Sequence, residues 1–256
     1  MYSQAIIAHY WAKNKFGNLM KTVNTQAPEK ITRERGILDV HSIFSTIQGE
    51  GPLCGHPAVF VRLAGCNLQC PGCDTEYTKG RHKLNFQDIL TDINLERFNT
   101  KSKAKLIVIT GGEPFRQPEV VSFIDYLIDL KGYRVQVETN GTMQIPLELH
   151  NECIVVCSPK AAKIHPSVAA RANAFKYVLQ AGNVREEDGL PLQALEHRAT
   201  PYIARPPVYY KGPIYLQPMD EKDDKRNHTN IQAVVENAMK FNYIVQLQVH
   251  KYLGVE

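Results

Sequence analysis

Three cysteines at positions 66, 70 and 73, spaced Cys-x3-Cys-x2-Cys, set three thiolates on one short loop. An iron–sulfur cluster of four irons ordinarily takes four cysteine ligands. Three leave one iron open, as a catalytic zinc site leaves one position open for chemistry. The amino and carboxylate groups of S-adenosylmethionine suit such an open iron. The competing reading is a zinc loop, which needs a fourth ligand and tolerates many sequence contexts. Cys54, Cys153 and Cys157 are the remaining cysteines. If Ile154 to Val156 is extended, Cys153 and Cys157 stand about 13 Å apart, too far to share one ion. These three read as buried or incidental thiols.

Other segments also carry chemistry. In Gly111-Gly112-Glu113-Pro114, the two glycines would let a ligand approach the backbone closely. Glu138-Thr139-Asn140-Gly141 offers a carboxylate and an amide suited to ribose hydroxyls, although Asn-Gly is also a common turn. Ser158-Pro159-Lys160 adds a hydroxyl and a cation, and Lys160 reads equally well as a solvated lysine. Upstream, Gln48 and Glu50 stand in the Gly-rich stretch Ser45 to Pro52. An amide opposite a carboxylate suits a heterocycle with adjacent N–H donors and a carbonyl, such as a pterin or guanine edge. Arg62 can grip a carboxylate in bidentate fashion. The plainer readings are a Gly-rich turn and a surface arginine.

These segments must be positioned by regular elements. Short apolar runs at Val59–Leu63, Leu106–Thr110, Val135–Thr139, Ile154–Ser158, Phe175–Leu179, Ile214–Gln217 and Ile244–Val249 read as buried strands. Helical patterns fall at Phe86–Phe98, Pro118–Leu130, Leu192–Arg198 and Asn230–Lys240. Strands alternating with helices predict right-handed βαβ units. About six parallel strands are too few for a closed eight-stranded barrel. The expected fold is an open, partial (β/α) barrel of α/β class, with the cysteine loop after its first strand. In such folds the loops at the carboxyl ends of the strands build the site.

The 256 residues, 43% hydrophobic and 22% charged, are ordinary for a globular chain. No apolar run reaches membrane-spanning length. A net charge of +4 is too weak to argue for nucleic acid. Clustered cysteines favour metal in a reducing compartment over a disulfide framework. Residues 1–36 read as an extension, with a helix expected around Ala5 to Phe16, and residues 37–256 as the catalytic domain.

The cysteine spacing and Gly-Gly-Glu-Pro resemble the radical S-adenosylmethionine superfamily. Thr46 to Gly51, Phe60 to Leu63, Cys73-Asp74-Thr75 and the terminal Gln248-Val249-His250-Lys251-Tyr252 narrow the resemblance to the 7-carboxy-7-deazaguanine synthase family, over about residues 40 to 256. That resemblance implies a carbon–nitrogen lyase of queuosine-type 7-deazapurine biosynthesis. It would convert 6-carboxy-5,6,7,8-tetrahydropterin to 7-carboxy-7-deazaguanine with release of ammonia. It implies a [4Fe–4S] cluster on Cys66, Cys70 and Cys73. S-adenosylmethionine would contact Gly72, Cys73, Asp74, Gly112, Glu113, Glu138, Asn140, Ser158, Pro159 and Lys160. The pterin would meet Ile47, Gln48, Gly49, Glu50, Arg62, Thr110 and His250. Mg²⁺ would take the Thr75 hydroxyl, with substrate oxygens completing its shell. The resemblance further implies an external electron donor, a homodimer and a cytoplasmic setting, with no membrane and no direct nucleic-acid contact. The rival readings are a glycyl-radical-enzyme activating enzyme, which has less use for a small-molecule clamp, and a non-catalytic metal-binding module.

Overall fold

The β-branched runs form the strands the sequence predicts, and two antiparallel strands are added ahead of and beside them. In the computed structural model, residues 24–31, 34–73, 75–196 and 201–255 are described. The strands are β1 Ile37–Ile47, β2 Pro57–Leu63, β3 His82–Asn85, β4 Leu106–Gly111, β5 Arg134–Thr139, β6 Ile154–Cys157, β7 Ala174–Leu179, β8 Ile214–Pro218 and β9 Ile244–Val245. The helices are α1 Phe86–Asn99, α2 Val120–Asp125, α3 Pro166–Arg171, α4 Asp224–Phe241 and α5 Val249–Leu253. One sheet runs in the order β3-β1-β2-β4-β5-β6-β7-β8-β9 and stays open. From β2 to β9 the pairing is parallel, whereas β1 pairs antiparallel with both β2 and β3. This is the expected partial barrel. The cysteine loop follows the first parallel strand, which is the second strand of the chain.

Alternation along the strands divides the molecule. Val59, Val61 and Leu63, Ile107 and Ile109, Val135 and Val137, and Phe175 and Tyr177 pack in the main core with Ile93, Phe123, Leu127 and Val234 of the helices. Their neighbours on the other face form two small apolar clusters: Leu53, Ala58, Leu106 and Val108, and then Val156, Ala174 and Tyr215. Polar residues of the same strands continue that concave face. Helix ends are set locally: Asn85 caps α1 by accepting from Gln87 and Asp88 N–H groups, and left-handed Asn242 ends α4.

Four expectations need correction. The strand Ile37–Ile47 escapes the apolar-run criterion because polar residues interrupt it and a register shift falls between Val40 and Ser42. Pro118–Leu130 is helical only from Val120 and widens into a π-turn over Tyr126–Leu130. The stretch 192–196 is no helix: Leu195 and Glu196 have φ of 47° and 59°, which α-helix excludes, and residues 197–200 lie outside the description. The strand expected over Ile244–Val249 pairs only at Ile244–Val245. Beyond it the Gln246 N–H donates to Leu216 O at 2.9 Å and α5 begins at Val249. The helix expected around Ala5 to Phe16 also lies outside the described residues.

Candidate active site

The loop between β1 and β2 folds under the concave face and brings Gln48, Gly49 and Glu50 to the interior. Gln48 is 1% exposed; its backbone pairs with His56 and Gly55. Its side-chain amide donates to Glu138 Oε1 at 3.1 Å, and its oxygen accepts from Glu50 N–H at 3.1 Å. Lys176, in the middle of β7, bridges Glu50 and Glu138, the latter at 2.9 Å. Gln136 also donates to Glu138, at 3.2 Å. The Glu50 carboxylate further accepts from the Gln248 amide at 2.5 Å. Burial alone would raise the Glu50 carboxyl, but Lys176, Gln248 and His250 hold it down to about 2. Burial likewise opposes the Lys176 ammonium, and the two carboxylates more than reverse that, keeping it above its ordinary value.

The C-terminal stretch closes this loop from the other side. Gln246 accepts from Gly51 N–H at 2.5 Å and donates to Gly51 O at 3.0 Å. The Val249 N–H donates to Gly49 O at 3.2 Å. His250 packs so closely on Gly49 that an added Cβ there would lie 2.0 Å from Nδ1. Glycine at 49 is required by this approach. Ile47 ends β1 opposite Pro57. Arg62 sits in register between Ser42 and Thr110, with Cζ 5.0 Å from the Phe44 ring centroid.

The cysteine loop leaves the carboxyl end of β2. Cys66 and Cys70 are buried and Cys73 is half-buried. Burial pushes the Cys66 thiol up to about 12 and the Cys70 thiol up to about 11, the latter against the pull of Lys160. Thiolates in this pocket therefore form on metal binding, with release of protons. The Cys66 sulfur already has two donors, Leu68 N–H at 3.4 Å and the Asn140 amide at 3.9 Å. Among the described residues no three His, Cys, Asp or Glu side chains converge on a single ion. A four-iron cluster would take each of the three thiolates on a different iron.

The motifs after β4, β5 and β6 brace this loop. The Gly112 N–H donates to Leu63 O at 3.1 Å and the Glu113 N–H to Gly65 O at 3.0 Å. The Glu113 carboxylate is wholly buried and accepts from Thr139 Oγ1 at 2.8 Å, Asn140 N–H at 2.7 Å and Phe115 N–H at 3.2 Å. Burial raises it to about 7 despite those three donors. Ser158 N–H donates to Thr139 O at 2.8 Å, while its Oγ is buried without a hydrogen-bond partner. That hydroxyl, beside buried Pro159, suits a bound cofactor. Gly72 N–H is taken by Leu195 O at 2.8 Å. Asp74 lies outside the described residues.

The chain matches the Radical SAM superfamily over residues 61–152. It is 37% identical over 223 residues to the 7-carboxy-7-deazaguanine synthase of Rhodospirillum rubrum, covering 84% of this chain and 92% of that one. This chain belongs to the 7-carboxy-7-deazaguanine synthase family. The Rickettsia prowazekii member is 35% identical over 226 residues, with 86% and 89% covered. The Aquifex aeolicus member is 32% identical over 232 residues, with 87% and 96% covered. The crystal structure of QueE from Escherichia coli shares the fold, with a TM-score of 0.62, 24% identity, and 83% and 94% of the two chains covered.

Sequence reasoning missed Lys176, Gln136, Gln246 and Arg116 within this candidate site. A signal was present for the first two. Lys176 interrupts Ala174-Phe175-Tyr177-Val178, and Gln136 separates Val135 from Val137, so each polar side chain must face away from the helix-packed core. Glu138, expected at a ribose, is shared among Gln48, Gln136 and Lys176 on the floor of the concave face.

Proposed function

We infer that this chain is a radical S-adenosylmethionine lyase that contracts the ring of 6-carboxy-5,6,7,8-tetrahydropterin to give 7-carboxy-7-deazaguanine and ammonia. Family membership supports the reaction. What supports the substrate reading is the buried group of Gln48, Glu50 and Lys176, with His250 packed on Gly49 and with Arg62 and Thr110 paired in register on the neighbouring strands. An enzyme that activates a protein partner would have little use for it. When bound, the cluster and S-adenosylmethionine supply the 5′-deoxyadenosyl radical. Cys66, Cys70 and Cys73 would hold the cluster; Ser158 Oγ, Asn140, Gly112 and Lys160 would line the cofactor.

The chain's own residues bind and orient the pterin. Glu50, kept ionised by Lys176, accepts from its N–H edge, and Arg62 pairs with its carboxylate. Gln246, Gln248 and His250 seal the loop and exclude water. Thr75 would offer a hard oxygen to Mg²⁺. An external donor supplies the electron. Free cysteines suit a cytoplasmic setting, and among the described residues no helix is long and apolar enough to cross a membrane. Residues 37–256 form the catalytic domain in this reading.

Anaerobic reconstitution with iron, sulfide, S-adenosylmethionine, Mg²⁺, a reductant and the pterin should yield 7-carboxy-7-deazaguanine by mass spectrometry. Cleavage of S-adenosylmethionine without that product would refute the substrate. Arg62→Lys keeps the charge and loses the fork, so calorimetry should show pterin binding weakened by about 1.5–3 kcal/mol. Cluster content should be unchanged, and equal affinity would remove Arg62 from the site. The family analogy also proposes a homodimer; light scattering at a mass near 28.9 kDa would refute it.

A further inference from the structure

Residues 24–31 precede the barrel in sequence, yet they lie against the cysteine loop. Two backbone donors reach it: Asn24 N–H to Pro71 O at 3.0 Å and Glu29 N–H to Cys66 O at 2.7 Å. The Asn24 side-chain amide donates to Cys70 O at 3.1 Å, and its oxygen accepts from the Gln26 N–H at 3.0 Å. Gln26 then donates to Thr75 O at 2.9 Å and accepts from Tyr77 N–H at 2.7 Å. The carbonyls of Cys66 and Cys70, and those of Pro71 and Thr75 around Cys73, are thus all tied to one short segment.

Its far end is anchored in the core. Arg116, 1% exposed, donates to Lys30 O at 2.6 Å and to Ala64 O at 3.0 Å. Its guanidinium lies against Gly65, where an added Cβ would come within 2.4 Å of Nη2. Glu29 pairs with Arg81 and stands 3.7 Å from Arg116. One buried arginine therefore joins the segment, the residues just before Cys66, and the turn after Gly-Gly-Glu-Pro.

We propose that residues 24–31 form a strap that holds the cysteine loop in its iron-binding shape and screens one side of it, with Asn24 and Gln26 as positioning residues. The strap rests on the reading that Cys66, Cys70 and Cys73 carry a four-iron cluster. Carbonyls tied to the strap fix the directions of the intervening cysteine side chains. Release of the strap is a local opening that exposes the loop without unfolding the barrel.

The test uses the full-length chain, reconstituted anaerobically, with Asn24→Ala, Asn24→Asp and Gln26→Ala variants. Asn24→Asp keeps the acceptor for Gln26 and loses the donor to Cys70 O. All three should lose the cluster's visible absorbance in air, and release iron to a chelator, about five- to tenfold faster than the parent. Amides of 66–73 should exchange faster, while the thermal midpoint of the iron-free protein stays unchanged. Parental rates of bleaching and iron release in all three would overturn the strap. Faster release accompanied by a lowered iron-free midpoint would overturn it too, as general destabilisation. A parent chain that takes up no iron would overturn the cluster reading itself.

Discussion

Lys176→Met should lower the stability of the folded chain by about 3–5 kcal/mol at neutral pH, read by denaturant unfolding of the iron-free protein. Lys176 supplies the positive charge between Glu50 and Glu138, and all three side chains are largely withdrawn from solvent. Removing it leaves two carboxylates facing one another without the lysine between them. Methionine fills a similar volume, so the loss is electrostatic and not a cavity. The pH dependence separates this from a packing defect. In the parent, Glu50 sits near 2 against an ordinary 4.5. A depressed carboxyl stabilises above 4.5, and that contribution is lost as pH falls toward 2. In the variant, Lys176 no longer offsets the burial that raises Glu50, so less of that contribution is there to be lost as pH falls. The difference between the two proteins should therefore shrink as pH falls from about 4.5 toward 2. A gap that stays constant over that range would mean that Lys176 acts only by filling space.

Much of this architecture was legible because chemistry and pattern coincide in the parallel strands. Leu106 to Ile109 is a continuous apolar run buried on both faces, so it marks its strand and the motif at its carboxyl end follows, whereas Val135–Thr139 is marked by its alternating valines. The antiparallel strand Ile37–Ile47 was not legible, because it borders the polar interior and carries His41, Ser42, Ser45 and Thr46 within eleven residues. The end of the chain misled for a related reason. Ile244 to Val249 has strand composition, but Gln246 and Gln248 are drawn under the sheet to Gly51 and Glu50, contacts 195 and 198 residues away in sequence. No local rule reports such a pairing. The strap was illegible too: Asn24 and Gln26 look like loop residues until the cysteine loop is folded beside them.

Gly112 shows where a sound motif carried an incomplete reason, and it predicts the second large effect. The sequence assigns its missing side chain to a ligand. In the fold, a Cβ at 112 would stand 2.0 Å from Gly65 O and 2.8 Å from Cys66 N. The neighbours are backbone atoms, which no rotamer change can move aside. They belong to the residue that begins the cysteine triad and to the one before it. Gly112→Ala should therefore displace the cysteine loop itself, at a cost of about 1–3 kcal/mol or more from overpacking. Since the carbonyl of Gly65 also accepts the Glu113 N–H, the brace between β2 and β4 would open with it. The expected result is loss of iron uptake on reconstitution together with loss of S-adenosylmethionine binding, while far-UV circular dichroism stays near that of the parent. If the glycine served the cofactor alone, the variant would fill with iron normally and lose only S-adenosylmethionine affinity. Iron content measured on the same samples as cofactor binding decides between the two.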